Sequence, residues 1–111
     1  NKKDRISWNL VKKIYSNNEY ISPCHASSLF GIITADGKLY PCEILEDKMI
    51  GNLRDVDMDF MKLWNSQNNQ DIKNYILNTK CRCTYECGLS FNILGNWRYQ
   101  LKLLSGLLSK Y

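Results

Sequence analysis

The chain has 111 residues and a mass of 13.0 kDa, which fits one domain, or one domain with an arm, and argues against two full hydrophobic cores. Apolar residues make up 44% and aromatics 12%, enough for a packed core and too many for an intrinsically disordered chain. Lys and Arg number 15 against 11 Asp and Glu, a net charge of +4, and the cations come as scattered pairs such as Lys2-Lys3 and Lys12-Lys13, not as the patch or stripe of a nucleic-acid binder.

The opening Asn1-Lys2-Lys3-Asp4-Arg5 leads into no apolar signal region, so the chain reads as an excised piece of a longer protein. From Arg5 to Asn17, the apolar Ile6, Leu10, Val11, Ile14 and Tyr15 recur at helical spacing opposite Asn9, Lys12 and Lys13, which predicts an amphipathic helix. Asn17-Asn18 and Ser22-Pro23 end it, and Pro23 sets an extended approach to Cys24. Leu29 to Thr34 and Leu39-Tyr40 are strand-like runs around Asp36-Gly37. A tight primed hairpin turn is therefore expected, with Cys42 ending the second strand and Cys24 just before the first.

Gly51-Asn52 reads as a turn inside an irregular stretch. Asp55 or Asp57 can cap a helix carrying Met58, Met61, Leu63 and Trp64, which Asn65 to Gln70 breaks. Met61, Trp64 and Tyr75 are expected in the core. Ile72, Tyr75, Ile76 and Leu77 predict another short helix, and Leu89, Phe91, Ile93 and Leu94 a further one. After Gly95-Asn96, a final amphipathic helix carries Trp97, Leu101, Leu104 and Leu108, a stripe that also suits docking onto a partner domain. None of these runs is long enough to cross a bilayer, so no membrane partner is expected. The fold class is α+β, a small β-hairpin plus several short helices around a cysteine-ligated metal cluster.

Five cysteines leave an odd thiol after any disulfide pairing. Cys24 and Cys42 stand apart, Cys81, Cys83 and Cys87 fall within seven residues, and the first 23 and last 24 residues contain none. A disulfide-stapled secreted domain spreads its cysteines more evenly. Disulfides with one spare thiol, or thiols buried as small hydrophobes, are the competing readings. Thiolates are soft ligands that select zinc, copper(I) or iron–sulfur clusters. A four-cysteine zinc site commonly uses two Cys-x-x-Cys knuckles, and the chain has none. A cubane is larger than one ion and accepts ligands from a hairpin end and a distant loop. The spacing leans to iron–sulfur, with a structural zinc module for protein interaction as the alternative.

The order CxₙGxxxxC over Cys24, Gly37 and Cys42, then Ile50-Gly51-Asn52-Leu53, Leu63-Trp64-Asn65-Ser66 and a terminal cysteine cluster resembles the SPASM or twitch domain that follows the barrel of many radical S-adenosylmethionine enzymes. The resemblance divides the chain into an N-terminal linker helix (1–21), a SPASM/twitch-like cluster-binding domain (22–95) and a C-terminal amphipathic helix (96–111). It implies one 4Fe–4S cluster, the reduced form of a domain that in full length carries two. Carried over, Cys24, Cys42 and Cys87 match family cysteines. Cys83, which keeps the CxxxC spacing to Cys87, is the first choice for the fourth ligand and Cys81 the second. His25 adjoins Cys24 and reads as a capping or surface histidine before a ligand.

A cluster ligated throughout by protein has no open iron for substrate, so its roles are electron transfer or structural support. Lys80, Arg82 and Arg98 would favour the negative charge of such a site. The radical signature CxxxCxxC is absent, so no catalytic residue and no S-adenosylmethionine site are expected in this chain. The resemblance implies a cytoplasmic parent enzyme that acts on a peptide or protein. Its barrel domain would be the main partner, and this domain would form part of the substrate-facing wall.

Overall fold

The apolar repeat over Ile6–Tyr15 forms helix α1 at Lys2–Asn17 in a computed structural model that describes residues 1–108. The helix starts three residues earlier than its apolar pattern because Asn1 and Asp4 make a reciprocal capping box: Asp4 N–H donates to Asn1 Oδ1 (3.2 Å) and Asn1 N donates to Asp4 Oδ2 (3.1 Å). Asn18 stops it in the left-handed region (φ 51°), with its N–H donating to Ile14 O. Two further helices, α4 (Glu86–Leu94) and α5 (Trp97–Leu108), pack against α1. Leu10, Leu89 and Ile93 are buried at their centre, with Ile6, Val11, Ile14, Ile21, Tyr99 and Leu103 around them. Residues 1–24 and 80 onward thus form one compact unit.

Trp97, Leu101, Leu104 and Leu108 all face outward on α5, the least exposed at 54%. The stripe expected from the sequence is therefore the outer face, while Tyr99 and Leu103 supply the packing face. Lys110 and the other residues after 108 in the expected last helix lie outside the described residues.

His25–Thr79 forms the second unit. Its antiparallel sheet has the order β1 (Ile32–Ile33), β2 (Lys38–Tyr40), β3 (Gly51–Asn52). Ile32 pairs with Tyr40 and Ile33 with Leu39, and Leu39 pairs in turn with Gly51. The expected hairpin is present, but its turn is not the two-residue primed type. Gly37 has φ +88°, whereas Ala35 and Asp36 have no positive φ. Gly37 N–H donates to Thr34 O (2.9 Å) and Thr34 N–H to Lys38 O (2.9 Å), closing a three-residue loop. The hydrogen bond from Thr34 Oγ1 to Asp36, and the Lys38–Asp36 ion pair at 3.2 Å, hold this longer turn.

Gly51-Asn52 is a strand and not a turn, because the Cα of Gly51 lets β3 lie against Leu63: a Cβ there would sit 2.5 Å from Leu63 Cδ2. A 3₁₀ turn (Leu53–Val56) follows, then α2 (Phe60–Trp64) and α3 (Gln67–Asn78). Neither expected cap holds for α2: Asp55 lies inside the 3₁₀ turn, Asp57 ends it in the left-handed region (φ 52°), and Asp59 begins α2 without a side-chain bond. Ser66 caps α3 by accepting from Asn69 N–H, so the polar run breaks the helical pattern only at Asn65–Ser66.

Ala26, Leu39, Ile50, Leu53, Leu63, Ile72 and Ile76 are buried in this unit. Met61 (53% exposed) and Tyr75 (39%) are not core residues. α2 is barely more than one turn long and turns Leu63 inward, while Lys48 Nζ sits 4.4 Å from the Tyr75 ring centre on the surface. Asn69 is fully buried instead, its Nδ2 donating to Ser27 O (3.2 Å) and Trp64 O (2.7 Å).

Candidate metal centre

Four of the five cysteines belong to the helical unit and Cys42 to the sheet unit. Cys24 is half-buried directly after Pro23. Cys42 is half-buried and follows the fully buried Pro41, two residues beyond the end of β2. It lines a cavity of about 280 Å³ with Ile32, Thr34, Tyr40, Glu43 and Glu46. Cys81 and Cys83 are half-buried in the non-helical stretch before α4. Cys87 is exposed in the first turn of α4, where backbone N–H groups without helical partners favour negative charge.

Arg82 helps to hold the stretch between α3 and α4. Lys80 turns the chain with φ 50°. Arg82 then reaches back to the end of α1, with Nε 3.0 Å from Asn18 O and 2.9 Å from Asn18 Oδ1, while its Nη1 donates to Lys80 O at 2.9 Å. The guanidinium fork thereby ties the residue between Cys81 and Cys83 to the left-handed cap of α1. No periodicity marks this clamp in the sequence, where Asn17-Asn18 reads only as a helix stop. Lys80 Nζ lies 5.9 Å from the Tyr20 ring centre, and Arg98 stacks 5.7 Å from that of Trp97.

Cys83 lines a small space of about 10 Å³ with Ser22, Arg82 and the apolar Leu10, Ile14 and Leu89. That is room for at most one water. His25 heads a tight turn, its carbonyl accepting from Ser28 N–H (3.0 Å) and Leu29 N–H (2.8 Å). Partial burial lowers its pKa and favours the neutral ring. Among the described residues, no three His, Cys, Asp or Glu side chains gather into a metal-holding group. The donor chemistry nonetheless fits a thiophilic centre, since five thiols are available.

A protein-family model, SPASM, described as an iron–sulfur cluster-binding domain, matches residues 24–88. The matched segment opens on the first cysteine, closes one residue after the last and contains all five. No curated protein and no solved structure matches the chain.

Proposed function

The chain belongs to the SPASM family of iron–sulfur cluster-binding domains, and from that premise we propose that it is the auxiliary-cluster module of a radical S-adenosylmethionine enzyme acting on a peptide or protein. The observation that carries the reading is the family match spanning every cysteine. In this proposal Cys24, Cys42, Cys83 and Cys87 supply thiolates to one 4Fe–4S cluster, with Cys81 as the alternative to Cys83. When bound, such a cluster supplies a one-electron relay or a covalent tie for the fold. The residues around the thiols do the rest. Arg82 orients the stretch carrying Cys81 and Cys83, the first turn of α4 presents Cys87, and Pro41 places Cys42 at the end of β2.

S-adenosylmethionine, the barrel that binds it and the peptide substrate belong, on this reading, to the parent enzyme in the cytoplasm. Anaerobic purification with iron, acid-labile sulfide and zinc analysis tests the proposal. Brown protein bleached by dithionite, with about four iron per chain, is expected. Colourless protein with one zinc would overturn it. Cysteine-to-serine variants then name the ligands: Cys83→Ser should lose iron and Cys81→Ser keep it.

A further inference from the structure

The modest net charge hides a segregation. Residues 1–24 and 80–111 carry ten Lys and Arg against three acidic residues, a net charge of +7, whereas His25–Thr79 carry five against eight, a net charge of −3. No acidic residue lies between Arg5 and Asn18 or after Glu86, so the facing sides of α1 and α5 hold cations without counter-charges. Between these helices lies a cavity of about 380 Å³, within the size range of pockets that take small ligands or side chains. Ile6, Leu10 and Ile21 give it an apolar lining, and Lys12, Lys13 and Lys102 stand around it. All three lysines are exposed, and among the described residues none of them makes an ion pair. Tyr99 also lines the groove, and its burial raises the phenol pKa, which keeps it a neutral donor there.

We propose that the groove between α1 and α5 docks an acidic polypeptide segment that carries an aliphatic side chain. Carboxylates would offset the mutual repulsion of the three ammonium groups, and the aliphatic group would cover Ile6, Leu10 and Ile21. A nucleic-acid backbone would meet the cations but leave that apolar lining against sugar and phosphate, so the mixed surface favours a peptide. None of the groove residues is a proposed cluster ligand, so binding here is measured independently of iron content.

The test is fluorescence anisotropy of the whole chain with a labelled synthetic peptide of alternating Asp and Leu. Saturable binding is expected, weakening as salt rises. The Lys12→Glu, Lys102→Glu double variant should weaken it at least about tenfold. Lys62→Glu, an exposed lysine of the other unit, should stay within about twofold. Peptides with Asn for Asp, or Ser for Leu, should each bind more weakly. Should the double variant lose its circular-dichroism spectrum, Lys12→Gln with Lys102→Gln carries the same comparison. No saturation up to about 1 mM, an equal loss from Lys62→Glu, equal binding of the Ser peptide, or tighter binding of an oligonucleotide of equal charge would each overturn the proposal.

Discussion

Arg82 offers the sharpest test of how this fold prepares its cysteines. Its fork makes two attachments, a shared bond from Nε to both oxygens of Asn18 and a bond from Nη1 to Lys80 O. Each such bond near solvent contributes about 0.5–1 kcal/mol after exchange with water. Arg82→Lys keeps the positive charge beside the thiols but cannot span both acceptors. One attachment is lost, and about 1 kcal/mol raises the open fraction of the segment about fivefold. Under mild conditions, alkylation of a half-buried thiol follows that open fraction. Mass spectrometry of the metal-free chain should show Cys81 and Cys83 reacting about fivefold faster in the variant, while Cys87 and Cys42 change less than about twofold. Because charge is conserved, an acceleration confined to that pair reports geometry. If all the thiols accelerate together, Arg82 holds the whole unit and not the segment. If Cys81 and Cys83 do not respond, the clamp has no role in presenting them. Iron loading at limiting iron should fall in parallel.

Three further outcomes follow from the sheet unit. Gly37→Ala adds a Cβ at φ +88°, 3.0 Å from Asn52 Oδ1, and should cost about 1–2 kcal/mol; an unchanged melting temperature would contradict the three-residue turn. Asn69→Asp replaces a buried double donor by an acceptor facing two carbonyls and should cost about 3 kcal/mol or more in urea unfolding at neutral pH. That deficit should shrink on acidification, because burial raises the carboxyl pKa and the protonated acid regains a donor. The Asp36 carboxyl is held below the usual aspartate range, first by Thr34 and then by Lys38. Its stabilising contribution is therefore present at neutral pH and lost as pH falls through that lowered value. Asp36→Asn should flatten the acid limb of the stability curve, and an ordinary Asp36 midpoint by NMR would count against the turn geometry.

Helices α1 and α5 are legible because their apolar residues repeat at a period near 3.6 over two or more turns, whereas α3 and α4 are legible only as apolar clusters over residues 72–77 and 89–94, with the polar start of α3 unread. Strand β3 is not, since two residues, Gly51 and Asn52, hold no period and carry the composition of a turn. Its pairing comes from Leu39 and Ile50, which bury beside it and are linked by the bond from Ile50 N–H to Leu39 O. The reading of Met61 and Tyr75 as core residues fails for a related reason. Spacing identifies an apolar face but not which of two faces has something to cover it, and α2 is too short for a continuous stripe. Asn69 looks like a helix breaker in the sequence because a polar residue carries no mark of burial. Only the carbonyls of Ser27 and Trp64, brought close by the fold, explain its place.

The metal chemistry was readable as donor type, because thiols at irregular spacing restrict the choice of ligand whatever the fold does with them. The linear order shows Lys80, Arg82 and Arg98 near those donors but not the division of charge between the two units. Lys2, Lys12, Arg82 and Lys102 are far apart in sequence, yet α1, α4 and α5 collect them into one unit with a net charge of +7, together with Cys24, Cys81, Cys83 and Cys87. Four of the five thiols thus stand in the basic unit. The fifth, Cys42, sits beside Glu43 and Glu46 in the acidic unit.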